Sequence, residues 1–85
     1  MALRLTVVTP AASVLDAEVD SVVVPGAQGE FGVLPSHERF LAPLREGTVR
    51  YRAAGETQQL RVTGGFAEVT EQRVVILADA VEGAE

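Results

Sequence analysis

The stretch Phe66-Ala67-Glu68-Val69-Thr70-Glu71-Gln72-Arg73-Val74-Val75-Ile76-Leu77-Ala78-Asp79-Ala80-Val81-Glu82 decides the fold. It contains neither Gly nor Pro, so by length it fits a single helix. Two features argue for strands instead. The cluster Val74-Val75-Ile76 is stiff at χ1 and suits a pleated surface better than a helix. Thr70-Glu71-Gln72 makes a plausible polar turn in the middle. The predicted elements are therefore a strand over Phe66 to Val69 and a second over Arg73 to Ala80.

Working outward, the rest of the chain reads the same way. Fourteen Val, one Ile and six Thr make about a quarter of the sequence β-branched. Gly and Pro interrupt it at the short intervals of a small all-β domain. Leu3, Leu5 and Val7 alternate with Arg4 and Thr6 until Pro10 ends the run. Ser13 to Leu15 is a short strand. Val19 to Val24 runs up to Pro25-Gly26, and Glu30 to Leu34 runs up to Pro35. Leu41 to Leu44 contains Pro43, which marks an edge or irregular strand. In Thr48 to Ala53, Val49, Tyr51 and Ala53 share one face, and Arg50 and Arg52 the other. Gly55 turns the chain, and Thr57 to Thr63 returns with Leu60 and Val62 inward, which predicts a hairpin. Glu82 to Glu85 reads as a frayed end.

Composition bounds the alternatives. The chain has 85 residues, 47% hydrophobic and 22% charged, which suits one small folded domain, residues 1–85. A domain of this size buries only roughly 60–65% of its unfolded surface, so its core is thin. No cysteine is present to staple it or to hold a metal. The net charge is −5, all the basic residues are Arg, and an acidic chain repels phosphate backbones; nucleic acid is not an expected partner. The start, Met1-Ala2-Leu3-Arg4-Leu5, lacks the pattern of a signal peptide. The longest apolar run, Val74 to Ala78, is far short of the roughly 20 residues a membrane helix needs, so no direct membrane insertion is expected.

Two runs, Val22-Val23-Val24 and Val74-Val75-Ile76-Leu77, carry apolar side chains on both faces of their strands. A sandwich solvates its outer faces, so something must cover them. A loop of this chain and a second chain are both open readings. His37, the single histidine, follows a strand in Pro35-Ser36-His37-Glu38. No nucleophile stands near it in sequence, and a loop or contact role fits it better than general-base catalysis. The glycine-rich Pro25-Gly26-Ala27-Gln28-Gly29-Glu30-Phe31-Gly32 precedes a strand, lacks Lys and carries Glu30. It reads as a tight turn rather than as a phosphate loop, and Glu30 at its tip is either simply solvated or placed to meet a basic partner. Arg50, Arg52 and Arg61 share one face of the hairpin. That stripe is either a solvated face or a surface for an acidic partner.

These pieces together resemble a known family, the ε subunit of F-type ATP synthases. The resemblance is carried by Thr9-Pro10, Val24-Pro25-Gly26, and Gly29-Glu30-Phe31-Gly32-Val33-Leu34-Pro35-Ser36-His37. Leu44-Arg45-Glu46-Gly47-Thr48-Val49, Gly64-Gly65-Phe66-Ala67-Glu68-Val69 and Val74-Val75-Ile76-Leu77-Ala78-Asp79 complete it. The order and spacing hold across nearly all of the chain.

The resemblance implies a flattened β-sandwich of about ten strands in two sheets. It implies a non-catalytic rotor subunit of the central stalk, which links the γ subunit to the polar loops of the membrane c-ring. Such a subunit helps couple ion translocation to ATP synthesis, peripheral on the cytoplasmic face of a bacterial plasma membrane. Position by position, Glu30 is expected to face the basic c-subunit loops. Thr9, His37 and Ala42 are expected to approach γ. Gly29, Gly32, Gly64 and Gly65 are expected at structural turns.

Ser36 and Glu38-Arg39 depart from the family's usual Gly and Ala-Pro. Relatives continue past this point into a helical hairpin that inhibits hydrolysis and in some members binds ATP. The chain ends at Glu85, so neither the hairpin nor an ATP site is expected, and no cofactor or metal is expected. A naturally short member fits slightly better than a truncation, since no tag is visible. The alternative function is a free-standing β-sandwich module for a ligand or peptide, which needs exposed aromatics in a groove. Phe31, Phe40, Phe66 and Tyr51 are the candidates, and most are expected to be buried.

Overall fold

A computed structural model describes residues 3–34 and 39–82. Among them every regular element is a strand. The ten are β1 (Leu3–Val8), β2 (Ser13–Val19), β3 (Ser21–Gly26), β4 (Gly29–Val33), β5 (Phe40–Leu44), β6 (Gly47–Ala53), β7 (Glu56–Val62), β8 (Gly65–Val69), β9 (Arg73–Ala78) and β10 (Val81–Glu82).

The decisive stretch is two strands joined by the expected turn. The Thr70 N–H donates to the Arg73 carbonyl at 2.9 Å and closes it. The second strand is shorter than expected. It ends at Ala78, and Val81–Glu82 forms a separate piece paired with β7.

One feature explains that break. β8 and β9 pair antiparallel with Gly65 opposite Ala78. The Asp79 N–H donates to the Gly64 carbonyl, and the Thr63 N–H to the Ala80 carbonyl, both at 3.1 Å. Val62 then lies opposite Val81. The register never slips, so β7–β8 and β9–β10 form one antiparallel ribbon that turns a corner. Leu60 and Val62 face inward before the corner, and Ala67 and Val69 after it, so the inward parity changes there. Gly64 and Gly65 make the change with φ of 138° and 123°, values that L side chains rarely adopt. A Cβ on Gly65 would stand 2.0 Å from the Leu77 carbonyl oxygen.

The corner carries the ribbon from one layer to the other. One layer is ordered β4-β3-β6-β7-β10 and the other β5-β8-β9-β1-β2. A second corner joins them where Gly26 pairs with Leu44, flanked by Ala27 N–H to Pro43 O and Arg45 N–H to Pro25 O. The two layers are thus one continuous ten-stranded sheet folded on itself. β1 and β9 form the parallel pair at the centre of the second layer. The shortest dimension of the molecule, 20 Å, is what two sheets packed about 10 Å apart require.

Val19 to Val24, expected as one strand, is divided between the layers. Val19 closes β2, while Val22 and Val24 face inward from β3. An unbroken strand cannot bury 19, 22 and 24 together, because its faces alternate. The chain crosses between layers at Asp20, whose N–H is held by the Arg52 carbonyl at 2.7 Å.

The core lies between the layers. Leu3, Leu5, Val7, Val74 and Ile76 fill it from one side, and Val22, Val24, Val33, Val49 and Val62 from the other, each at most 1% exposed. Fully burying such a side chain is worth about 1.5–3 kcal/mol. The β6–β7 hairpin turns on Ala54-Gly55, both with positive φ, the type I′ geometry that matches strand twist.

Two stability outcomes follow. Gly65→Ala is expected to lower unfolding stability in urea by roughly 2–4 kcal/mol, from φ strain and the carbonyl clash. Gly32→Ala, where no atom lies closer than 4.0 Å to the added Cβ, serves as the mild control. Ala54 sits at φ 52°, so Ala54→Asn is expected to stabilise by about 0.5–1 kcal/mol in the same assay.

Candidate functional site

The two layers present different outer faces. On the second, cross-strand register aligns Pro43 with Phe66, Phe66 with Leu77, and Leu77 with Val8. This apolar row crosses four strands. Phe66 is 49% exposed and Leu77 46%, and Leu41, one pair along β5, is 64% exposed. Thr9, Pro10 and Asp79 border the row, and together they line a shallow cleft. The apolar run Val74 to Leu77 thus divides cleanly. Val74 and Ile76 enter the core, Val75 is half-buried, and no described loop covers Leu77.

Val22-Val23-Val24 resolves differently. Val23 faces outward from β3, between Gly32 of β4 and Arg50 of β6. Arg50 reaches across β3 to Glu30, its Nη1 donating to Oε2 at 3.4 Å and its Nη2 to Oε1 at 3.3 Å. Val23 lies half-buried on the strand this pair spans. Part of the outward side of this strand is thus spanned by an ion pair from within the chain.

Glu30 therefore differs from the free carboxylate at a loop tip expected from sequence. Gly26 pairs with Gly29, which limits the turn to Ala27 and Gln28. Gly29 takes φ 133°, and Glu30 already stands in β4 opposite Pro25. Gly32 is likewise not in a turn: it lies inside β4, paired with Val23. Gly64 and Gly65 sit at the layer corner rather than in a hairpin loop.

Thr9 and Ala42 do not share a surface. Thr9 caps the β1–β2 turn: its Oγ1 lies 3.3 Å from the Ala11 N–H and 3.2 Å from the Ala12 N–H. Its own N–H donates to the Ala12 carbonyl at 2.9 Å. Ala42 pairs with buried Ala67 and points to the inner side of β5. It borders a groove with Gly26, Ala27, Phe31 and Phe40. His37, with Ser36 and Glu38, lies outside the described residues.

Sequence reasoning expected most aromatics to be buried, whereas Phe66 is exposed and Phe31 and Phe40 are only partly buried. Tyr51 is buried, and Phe31 and Phe40 pack edge to face at a centroid distance of 5.2 Å. The signal for Phe66 was present in the alternation of β8, where Ala67 and Val69 take the inner face. The Arg stripe is an outer face: Arg61 pairs with Glu46 at 3.5 Å, as Arg50 does with Glu30.

Further along the second layer's outer face, Arg4 Nε donates to Asp16 Oδ1 at 2.7 Å, and the Thr6 hydroxyl to the same oxygen at 3.3 Å. The hydrogen bond from Arg4 holds the Asp16 carboxyl below the usual aspartate range. No group of three or more His, Asp or Glu among the described residues is arranged to hold a metal. Among the described residues no helix is long and apolar enough to cross a membrane.

Fold and surface together define a small β-sandwich domain whose second layer bears an exposed apolar row. The signature of the family described as ATP synthase, Delta/Epsilon chain, beta-sandwich domain matches residues 2–84. The chain belongs to that family. It is 51% identical over 83 residues to an ATP synthase epsilon chain of Nitratidesulfovibrio vulgaris strain DP4, covering 98% of this chain and 62% of that one. An ATP synthase epsilon chain of Symbiobacterium thermophilum is 48% identical over 84 residues, covering 98% and 60%.

The chain thus spans about three-fifths of the length of the curated relatives it matches. Among solved structures it superposes on a chain of the Euglena gracilis mitochondrial ATP synthase (OSCP/F1/c-ring, rotational state 1). The TM-score is 0.88 at 26% identity, covering 94% of this chain and 52% of that one. A Tetrahymena thermophila mitochondrial ATP synthase chain shares the fold at TM-score 0.76 and 14% identity, covering 93% and 64%.

The pH dependence of the Arg4–Asp16 pair has a definite sign. A carboxyl lowered in the folded state contributes stability at neutral pH, and loses it as pH falls through the lowered value. Asp16→Asn is expected to cause a small loss near pH 7. Its urea midpoint should then converge on the parent's at acid pH, below the usual aspartate range. The pair is about half exposed, so high salt should shrink the neutral-pH difference.

Proposed function

We propose that this chain forms the ε-type rotor domain of an ion-translocating F-type ATP synthase, seated in the central stalk between the γ subunit and the c-ring. The observation that carries the reading is the 51% identity to an ATP synthase epsilon chain across 98% of this sequence. The superposition on a chain from an assembly that includes F1 and a c-ring supports it. The domain does no chemistry of its own and takes no cofactor. It acts by holding two moving parts together, so that rotation driven at the ring reaches the catalytic head without slipping.

The uncovered face supplies the physical basis. A row of Val8, Leu77, Phe66 and Pro43 loses contact with water when a partner covers it, and such burial favours association at about 25 cal/mol per Å². Aromatic and aliphatic anchors with a polar margin are the ordinary makeup of an interface centre. We assign this row to γ, with Thr9 at its margin. Ala42 and His37 remain candidates for the same partner. Glu30, on the other layer and near the β3–β4 turn, is assigned to the cationic loops of the c-ring. As part of that assembly the domain is peripheral to the bacterial plasma membrane on its cytoplasmic face.

Purified with the cognate γ subunit, the chain is expected to form a stable complex and to show no ATPase activity alone. Absence of γ binding at micromolar concentration overturns the reading. Leu77→Glu is expected to weaken the complex at least tenfold, because it puts a charge in the centre of the row. Its exposed position should leave the fold unchanged by circular dichroism. Gln59→Glu, on the opposite outer face, is expected to bind γ like the parent.

A further inference from the structure

We infer that Arg50 is an internal competitor for Glu30, and that docking on a cationic loop proceeds by exchange of this ion pair. The inference rests on the assignment of Glu30 to the ring and adds a residue that sets the strength of that contact. Both oxygens of Glu30 are taken, one by each terminal nitrogen of Arg50, at 3.3 and 3.4 Å. A guanidinium fork on a carboxylate is the geometry that a partner Arg would itself use. An incoming cation therefore meets an occupied acceptor and a like charge beside it.

The pair is built to be exchangeable. Its side chains are 42% and 45% exposed, so neither is locked by burial. Its distances are long for a charge-assisted contact. The two residues are anchored on different strands, β4 and β6, with β3 between them. Separation on docking therefore needs side-chain rotation and no backbone change. The arrangement thus lowers the affinity of Glu30 for stray cations, because a docking cation must displace Arg50 to reach it.

The test is a double-mutant cycle on rebinding to the ring. The catalytic sector, reassembled with each variant, is titrated onto membranes stripped of it, at low and high salt. Glu30→Gln is expected to weaken rebinding. Arg50→Gln is expected to strengthen it about three- to tenfold at low salt, because it frees the carboxylate and removes a like charge. In the Glu30→Gln background, where only the like-charge contribution is left, Arg50→Gln is expected to give a clearly smaller gain than in the parent. If Glu30→Gln leaves rebinding unchanged, the assignment of Glu30 to the ring fails. If Glu30→Gln weakens rebinding but Arg50→Gln weakens it too, or changes nothing, the exchange is overturned while the ring assignment stands. Urea unfolding of each variant reports any folding defect, and Arg50→Lys, which keeps the charge but loses the fork, is expected to fall between Arg50→Gln and the parent.

Discussion

The fold depends on one constraint, the corner at Gly64-Gly65. A sandwich of two short sheets has many free strand edges and little core. Here one hydrogen-bonded ribbon belongs to both layers, so pairing and packing reinforce each other. β7 and β10 supply one layer, β8 and β9 the other, and the register is unbroken across the bend. Only a residue without Cβ fits where Gly65 meets the Leu77 carbonyl. The second corner, where Gly26 pairs with Leu44, joins the layers on the other side. A chain of 85 residues without disulfides needs this economy, because its buried area is modest.

The same bend decides which surface the domain offers. It changes the inward parity of the ribbon, sending Ala67, Val69, Ile76 and Ala78 to the core. Phe66 and Leu77 are left outside, side by side. Exposing them has no value for an isolated domain and a clear value for one completed by a neighbour. On the opposite layer Val23 is half-buried on the strand that the Glu30–Arg50 pair spans. The two outer faces are thus unlike: one carries an ion pair across its central strand, the other an exposed apolar row.

Much of this was legible in the sequence. The β-branched cluster Val74-Val75-Ile76 and the polar Thr70-Glu71-Gln72 gave two strands and a turn. The Arg50/Arg52 alternation and Gly55 gave the hairpin. What was not legible shares one cause, the placing of strands by partners far away in the chain. Val19 to Val24 looks like one strand because local pattern does not reveal a change of layer at Asp20. Arg73 to Ala80 looks like one strand because the bend at Asp79-Ala80 is imposed by its partner glycines. Glu30 looks free because Arg50, twenty positions away, is brought to it by β3 and β6.

The sequence by itself determined the all-β class, most strand positions and the family. Each rests on local alternation, stiff branched side chains or an ordered series of short motifs. The tertiary structure alone decided which apolar residues are core and which are surface. It also decided that Glu30 is already paired, and that Thr9 and Ala42 look in different directions. Those outcomes depend on the layer in which a strand lies and on which strand sits beside it. Both are set at corners where residues far apart in the chain meet, and a one-residue shift in parity exchanges inside for outside.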